Sequence, residues 1–227
     1  LQLIIEMMRY LTLFFILLSF ESMAQTLPDF ILPGGRTKVL ETKGDLDKDG
    51  IDEVIFVYNS NKRVDRTGFT RELYICKMLN GKLKLWKKNT SVLWNSEDCG
   101  FCTDNGVDLS IIIKNNTIIT QQTFWHNTRH TSKHKNIYRY QNNDWFLIGS
   151  TYKDSYNCGY QHTYDINFST KQVDVRYDDE DCEDSVQSHP ATEKKFKYPF
   201  TSVPKMDGFI PGRIEIKIPN SSQFFYY

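Results

Sequence analysis

Arg71-Glu-Leu-Tyr-Ile-Cys-Lys-Met-Leu-Asn-Gly-Lys-Leu-Lys-Leu-Trp86 decides the class of fold. Two runs rich in aromatic, β-branched and aliphatic residues flank Asn80-Gly81, a pair that accepts the positive φ of a tight primed turn, and Leu83 and Leu85 alternate with lysines. This is a hairpin with one buried face, not a helix. Outward from it, Lys114-Asn-Asn-Thr117 and Gln141-Asn-Asn-Asp144 repeat the same turn chemistry between further short runs. The expected strands are Glu53–Tyr58, Arg71–Met78, Lys82–Trp86, Val107–Ile113, Thr117–Gln121, Asn136–Gln141, Trp145–Thr151, Gln161–Asn167 and Gln172–Tyr177. The chain therefore reads as all-β and mostly antiparallel, a sandwich or a strongly bent sheet. Its prolines agree: Pro28 and Pro33 come early, Pro190, Pro199, Pro204, Pro211 and Pro219 late, and none falls between. A proline has no amide proton for a strand ladder. Residues 25–189 are thus expected to form the β-rich domain, with 190–227 an irregular or edge-strand segment packed on it or extending it.

Just ahead of the first expected strand lies Gly44-Asp-Leu-Asp-Lys-Asp-Gly-Ile-Asp-Glu53. Carboxylates at alternate positions, closing on a glycine, are what a hard cation needs, since Ca²⁺ takes six to eight oxygen ligands at about 2.3–2.6 Å. The expected ligands are the side chains of Asp45, Asp47 and Asp49, the carbonyl of Ile51 and the Glu53 carboxylate, with Gly50 allowing the sharp turn. The twelve-residue EF-hand frame fails, because its closing glutamate position falls on Phe56. Without a cation such crowding is costly: two carboxylates about 4 Å apart repel by about 4 kcal/mol at an effective dielectric of about 20. A solvated acidic turn is the alternative.

The D-x-D-x-D-G-x-x-D/E form of this loop resembles the calcium loops of FG-GAP and VCBS-type repeats, in which the ion sits in a turn leading directly into a strand. Val54-Ile-Phe-Val-Tyr58 stands in that place. The resemblance implies one FG-GAP-like hairpin unit with calcium as its ion. A full propeller needs at least four blades and visible self-similarity, and only one such loop is present. The stretch from Gly44 to about Gly149 is also similar to small secreted bacterial proteins of unassigned function. The matching features are Asp98-Cys-Gly100 and the aromatic hairpin Tyr138–Gly149, and this likeness implies no activity.

The N-terminus carries a basic start, Met7-Met-Arg-Tyr10, an apolar stretch, Leu11–Phe20, and the small-x-small site Ser22-Met-Ala24. The pattern is that of a secretory signal peptide over residues 1–24, with residues 1–6 lying upstream of the first methionine as a mis-called start or an unusual initiation. Export to the periplasm or the exterior is expected, with no stable membrane span after cleavage. Equal numbers of basic and acidic residues, 28 of each, argue against nucleic acid as a partner.

Five cysteines in an exported chain suggest two disulfides and one spare thiol. Cys158 and Cys182 bracket the hairpin near 161–177, and Cys99 and Cys102 can close a small loop; Cys76 is then the buried free residue. Pairing of Cys76 with Cys99 stays open. Cys99-Gly-Phe-Cys102 also has the spacing of a redox motif, but no helix start follows it to stabilise a thiolate.

Further groups invite a site. His126, His130 and His134 recur every fourth residue, yet in an extended strand such neighbours lie about 13 Å apart, too far to share an ion. An exposed basic loop is the expectation, although a hairpin with its tip near His130 would turn His126 and His134 toward each other. Asp178-Asp-Glu-Asp-Cys-Glu-Asp184 holds six carboxylates without a wrapping glycine; Asp178, Asp179, Glu180 and Asp181 are candidates for contact with a basic partner. Tyr156, Tyr160, Tyr164 and Tyr177 suit either packing or a recognition face. No nucleophile elbow, H-E-x-x-H or phosphate-cradling glycine loop is present. The expected function is that of a calcium-stabilised binding module whose partner is another protein or a surface glycan. An inhibitor or immunity protein against an exported enzyme or toxin is the first alternative, and a hydrolase using the acidic cluster the second.

Overall fold

The computed structural model describes residues 26–101, 109–179 and 191–227. The signal-peptide reading of 1–24 lies outside them, as do Cys102, Glu180, Asp181 and Cys182. Thirteen strands are described: β1 (Thr37–Gly44), β2 (Glu53–Val64), β3 (Gly68–Leu79), β4 (Lys82–Asn89), β5 (Leu109–Lys114), β6 (Thr117–Trp125), β7 (His130–Gln141), β8 (Asp144–Tyr156), β9 (Tyr160–Asn167), β10 (Gln172–Asp179), β11 (Thr192–Lys197), β12 (Glu215–Lys217) and β13 (Phe224–Tyr226). They form an antiparallel four-stranded sheet in the order β1-β2-β3-β4, an antiparallel seven-stranded sheet in the order β11-β10-β9-β8-β7-β6-β5, and the small pair β12-β13. Each strand of the two larger sheets lies beside its sequence neighbour, as short connections dictate. No described helix is long and apolar enough to cross a membrane.

The three asparagine turns explain much of this regularity. Asn80 with Gly81, Asn115 with Asn116, and Asn142 with Asn143 all have positive φ at both central positions, the primed geometry whose twist matches that of the strands it joins. Each turn fixes the register of its hairpin: Leu79↔Lys82, Lys114↔Thr117 and Gln141↔Asp144.

Val54–Tyr58 is apolar at every position because the smaller sheet is covered on both faces. Ile55 and Val57, with Leu73 and Ile75 of β3, join the main core, which also holds Ile118, Tyr138, Leu147, Ile166 and Val173 of the larger sheet. Val54, Phe56, Tyr58, Tyr74 and Cys76 point the other way, where Phe30 packs on them and stacks on Phe56 at 5.5 Å. The segment carrying Phe30 runs along β4: Leu85 N–H donates to the Pro28 carbonyl and Phe30 N–H to that of Leu83. Phe200, Met206, Phe209, Phe225 and Tyr227 bring the C-terminal segment into the main core.

One departure from the sequence reading has a plain cause. A strand, β1, precedes the acidic loop, which makes that loop a hairpin connection and not the entry to the first strand; Thr37–Gly44 escapes notice because only Val39 and Leu40 in it are apolar. Of the two alternatives for the proline-containing tail, the structure has edge-strand character: it carries β11 to β13, and β11 is the last strand in the order of the larger sheet, with Glu193, Lys194, Lys195 and Lys197.

Candidate functional site

The acidic loop spans the gap between the paired ends of β1 and β2, Gly44↔Glu53. Its conformation is written in side-chain to backbone bonds. The Asp45 carboxylate accepts from Lys48 N–H at 2.6 Å and Gly50 N–H at 3.2 Å, and Asp49 accepts from Ile51 N–H at 2.7 Å. Lys48 and Gly50 both have positive φ. The outcome is that ligand oxygens of Asp45, Asp47 and Asp49 all lie within 4.8 Å of one another. The Lys77 ammonium, from β3, is bonded to Asp47 and sits 3.8 Å above the Trp86 ring.

Glu53 stands at the root of the loop, fully buried, and accepts from Leu46 N–H at 2.7 Å. Burial pushes its carboxyl up to about 7; the Leu46 amide pulls the other way, and Asp47 and Asp49 add repulsion. A carboxylate raised in this manner has its charge undersatisfied, which is the environment a cation relieves. Ile51, expected to offer its carbonyl, has an exposed side chain. The loop rests on the larger sheet: Asn116 Nδ2 donates to the Asp45 carbonyl at 3.3 Å, and Gly44 lies against Ile113. Glu53 is not among the oxygens that gather, so the loop brings three carboxylates together, exposed or half-buried hard-oxygen donors that could hold a metal ion.

A second group lies at the far end of the larger sheet. Along its inward face the pleat sets His130, Ser132 and His134 of β7 beside Tyr152 and Asp154 of β8, since Ser132 pairs with Asp154 and His134 with Tyr152. The histidines expected in an exposed loop are therefore graded: His126 exposed, His130 half-buried, His134 buried. Burial brings the His134 imidazole down to about 4, against a small upward pull from Asp154. It stacks on Tyr152 at 4.5 Å and meets Trp94 edge-on at 5.0 Å. Gly212 packs so tightly on it that an added Cβ would come within 2.6 Å of Cε1. Burial and the neighbouring His130 also hold His126 below the usual range.

Beside these rings is a cavity of about 270 Å³, lined among others by Trp94, His126, Ser132, Tyr152, Arg213 and Tyr226. Of the tyrosines noted in the sequence, Tyr156 and Tyr160 stack on each other, half-buried, beside His130, while Tyr164 is buried in the main core, stacked on Tyr152 and edge-on to Tyr177. The hairpin weighed in the sequence as the alternative to a loop accounts for the histidines, but Trp94, Tyr152 and Asp154 went unforeseen because they come from separated segments.

The remaining candidates stay apart from both groups. Asp178 is held by Arg176 through two bonds of 2.7 and 2.9 Å, and Asp179 ends β10 opposite Tyr160. Cys76 is free and buried, while the partners expected for Cys99 and Cys158 lie outside the described residues. Against known proteins, the chain matches no family model, no curated protein and no solved structure.

Proposed function

We propose that the protein is an exported, calcium-stabilised binding module in which the ion is structural and holds the two sheets in register. The observation that carries this reading is the convergence of the Asp45, Asp47 and Asp49 carboxylates in the loop that leads into the buried Glu53. The likeness of the loop to FG-GAP and VCBS-type loops supports it, and so does the seating of the loop on the β5–β6 turn, which gives one ion leverage over both sheets. In the module, Asp45, Asp47, Asp49, Glu53 and the Ile51 carbonyl hold calcium. The cavity edged by Trp94, Tyr152 and Arg213 receives the partner. Flat aromatic faces beside a guanidinium and hydroxyls suit a sugar ring or a polar side chain of another protein. Disulfides from Cys99 to Cys102 and from Cys158 to Cys182 complete the exported fold.

Thermal melts in calcium and in chelator test the reading. At a dissociation constant of about 0.1 mM, typical of extracellular sites, about 1 mM Ca²⁺ adds about 1.4 kcal/mol by linkage. Asp47→Ala and Asp49→Ala abolish that increment. Identical melts for parent and variants, with and without calcium, sink the proposal.

A further inference from the structure

His126, His130 and Asp154 come together where the β6–β7 turn folds back over β8. The turn has one shape: His126 N–H donates to the His130 carbonyl at 2.9 Å, and Asn127 Oδ1 accepts from Arg129 N–H at 2.8 Å and His130 N–H at 2.9 Å. This brings the two imidazoles face to face, centroids 4.0 Å apart and planes 16° from parallel. Asp154 arrives from the next strand. Its Oδ1 lies 2.7 Å from His130 Nε2, and its Oδ2 accepts from the Tyr160 hydroxyl at 3.2 Å. One ring nitrogen from each histidine and one carboxylate oxygen all fall within 4.8 Å of one another.

We propose that His126, His130 and Asp154 form a site for a divalent transition-metal ion of the zinc class, separate from the calcium loop. The donor set decides the class: two imidazoles and one carboxylate suit zinc and its borderline neighbours, whereas Ca²⁺ requires many hard oxygens. Metal–ligand bonds of about 2.0–2.2 Å put donor atoms on a tetrahedral ion a little over 3 Å apart, so binding requires the two stacked rings to rotate out of their stack until both nitrogen lone pairs, which lie in the ring planes, point at one ion. Among the described residues no lysine or arginine pairs with Asp154, whose ion-pairing partner is His130. Its charge is thus left for a cation held between the histidines. Tyr160 fills the place of an outer partner, fixing the second carboxylate oxygen as such donors fix metal-bound carboxylates. Ser132 Oγ, 3.1 Å from His126 Nε2, steadies the other ring.

Three protein ligands leave one position open on a tetrahedral ion. His126 and Ser132 also line the cavity beside Trp94 and Tyr152, so that position adjoins the cavity. An oxygen donor of a bound partner, a carboxylate or a sugar hydroxyl, can complete the coordination there. The inference stands apart from the calcium reading, since the two sites share no residue.

Zn²⁺ alone, titrated into the full chain in calcium-containing buffer, tests it by calorimetry, with Co²⁺ as a second probe whose visible absorption reports nitrogen ligation and low coordination number. A single equivalent of either ion is expected to bind. His126→Ala, at an exposed side chain, weakens uptake by more than the roughly 10–100-fold that loss of an outer-shell partner costs, and Asp154→Asn does the same, with thermal melts showing both variants folded. Asp47→Ala leaves Zn²⁺ binding unchanged while removing the calcium effect. The proposal is overturned if the parent takes up neither ion, or if His126→Ala and Asp154→Asn bind Zn²⁺ as the parent does.

Discussion

The Lys77 ammonium is bonded to the Asp47 carboxylate from across the smaller sheet, with its charge poised over Trp86. A cation already occupies part of the space that Ca²⁺ is proposed to fill, and the two compete. Lys77→Met removes the competitor while keeping a flexible chain on the indole. Calcium affinity in this variant rises by about tenfold, equivalent to about 1.4 kcal/mol, in an isothermal titration. Without calcium the same variant loses stability, because Asp47 is left among like charges.

Gly44 touches Ile113 at the seam between the two sheets. An added Cβ would fall 2.7 Å from Ile113 Cγ2 and 2.8 Å from its Cβ, closer than carbon atoms pack. Gly44→Ala costs about 1–3 kcal/mol, as overpacking of this kind does. Combined with Ile113→Ala the loss is less than additive, since the second change vacates the contested volume. Urea unfolding of the four members of the cycle measures it.

His134 makes stability depend on pH. Its folded pKa of about 4 lies below the ordinary value of 6.5, so between them the unfolded chain binds the proton and the folded chain does not. Stability is then fully present above about pH 6.5 and is lost as the pH falls toward about 4, by at most about 3 kcal/mol at about 1.4 kcal/mol per pH unit. Melts of parent and His134→Gln across this range diverge at neutral pH and converge at low pH if the imidazole is responsible.

Cys76 is fully buried, and burial pushes its thiol up to about 12. Iodoacetamide therefore leaves the native protein unlabelled at neutral pH. In denaturant without reductant, intact-mass analysis shows one adduct if the other four cysteines are bridged as proposed. Three or five adducts would discard one or both bridges.

How far the fold was legible depended on burial. All nine strands expected from the sequence fall on strands of the structure; Val107 and Asp108 of one of them lie outside the described residues. These strands are the ones that bury a face, and the asparagine turns between them declare themselves through positive φ. β1 was illegible because only Val39 and Leu40 in it are apolar and β11 because only Phe196 is, and β12 and β13 because three residues are too few to show a period. The gathering of Asp45, Asp47 and Asp49 was legible because these carboxylates stand at alternate positions of one short loop. The histidine group was legible only in part: a hairpin tip near His130 was open as an alternative, but the meeting of His126 with His130 at the Asn127 reversal and the arrival of Asp154 from the next strand were not. Local chemistry is visible in a sequence, but chemistry assembled by register is not.

The outermost strand of the larger sheet, β11, sets ammonium groups from Lys194, Lys195 and Lys197 along its margin. A second molecule trying to lengthen the ladder at that margin would have to bring its own lysines alongside and strip their water, a cost that unpaired margins commonly exploit. Self-propagating fibril growth is thereby discouraged at that margin.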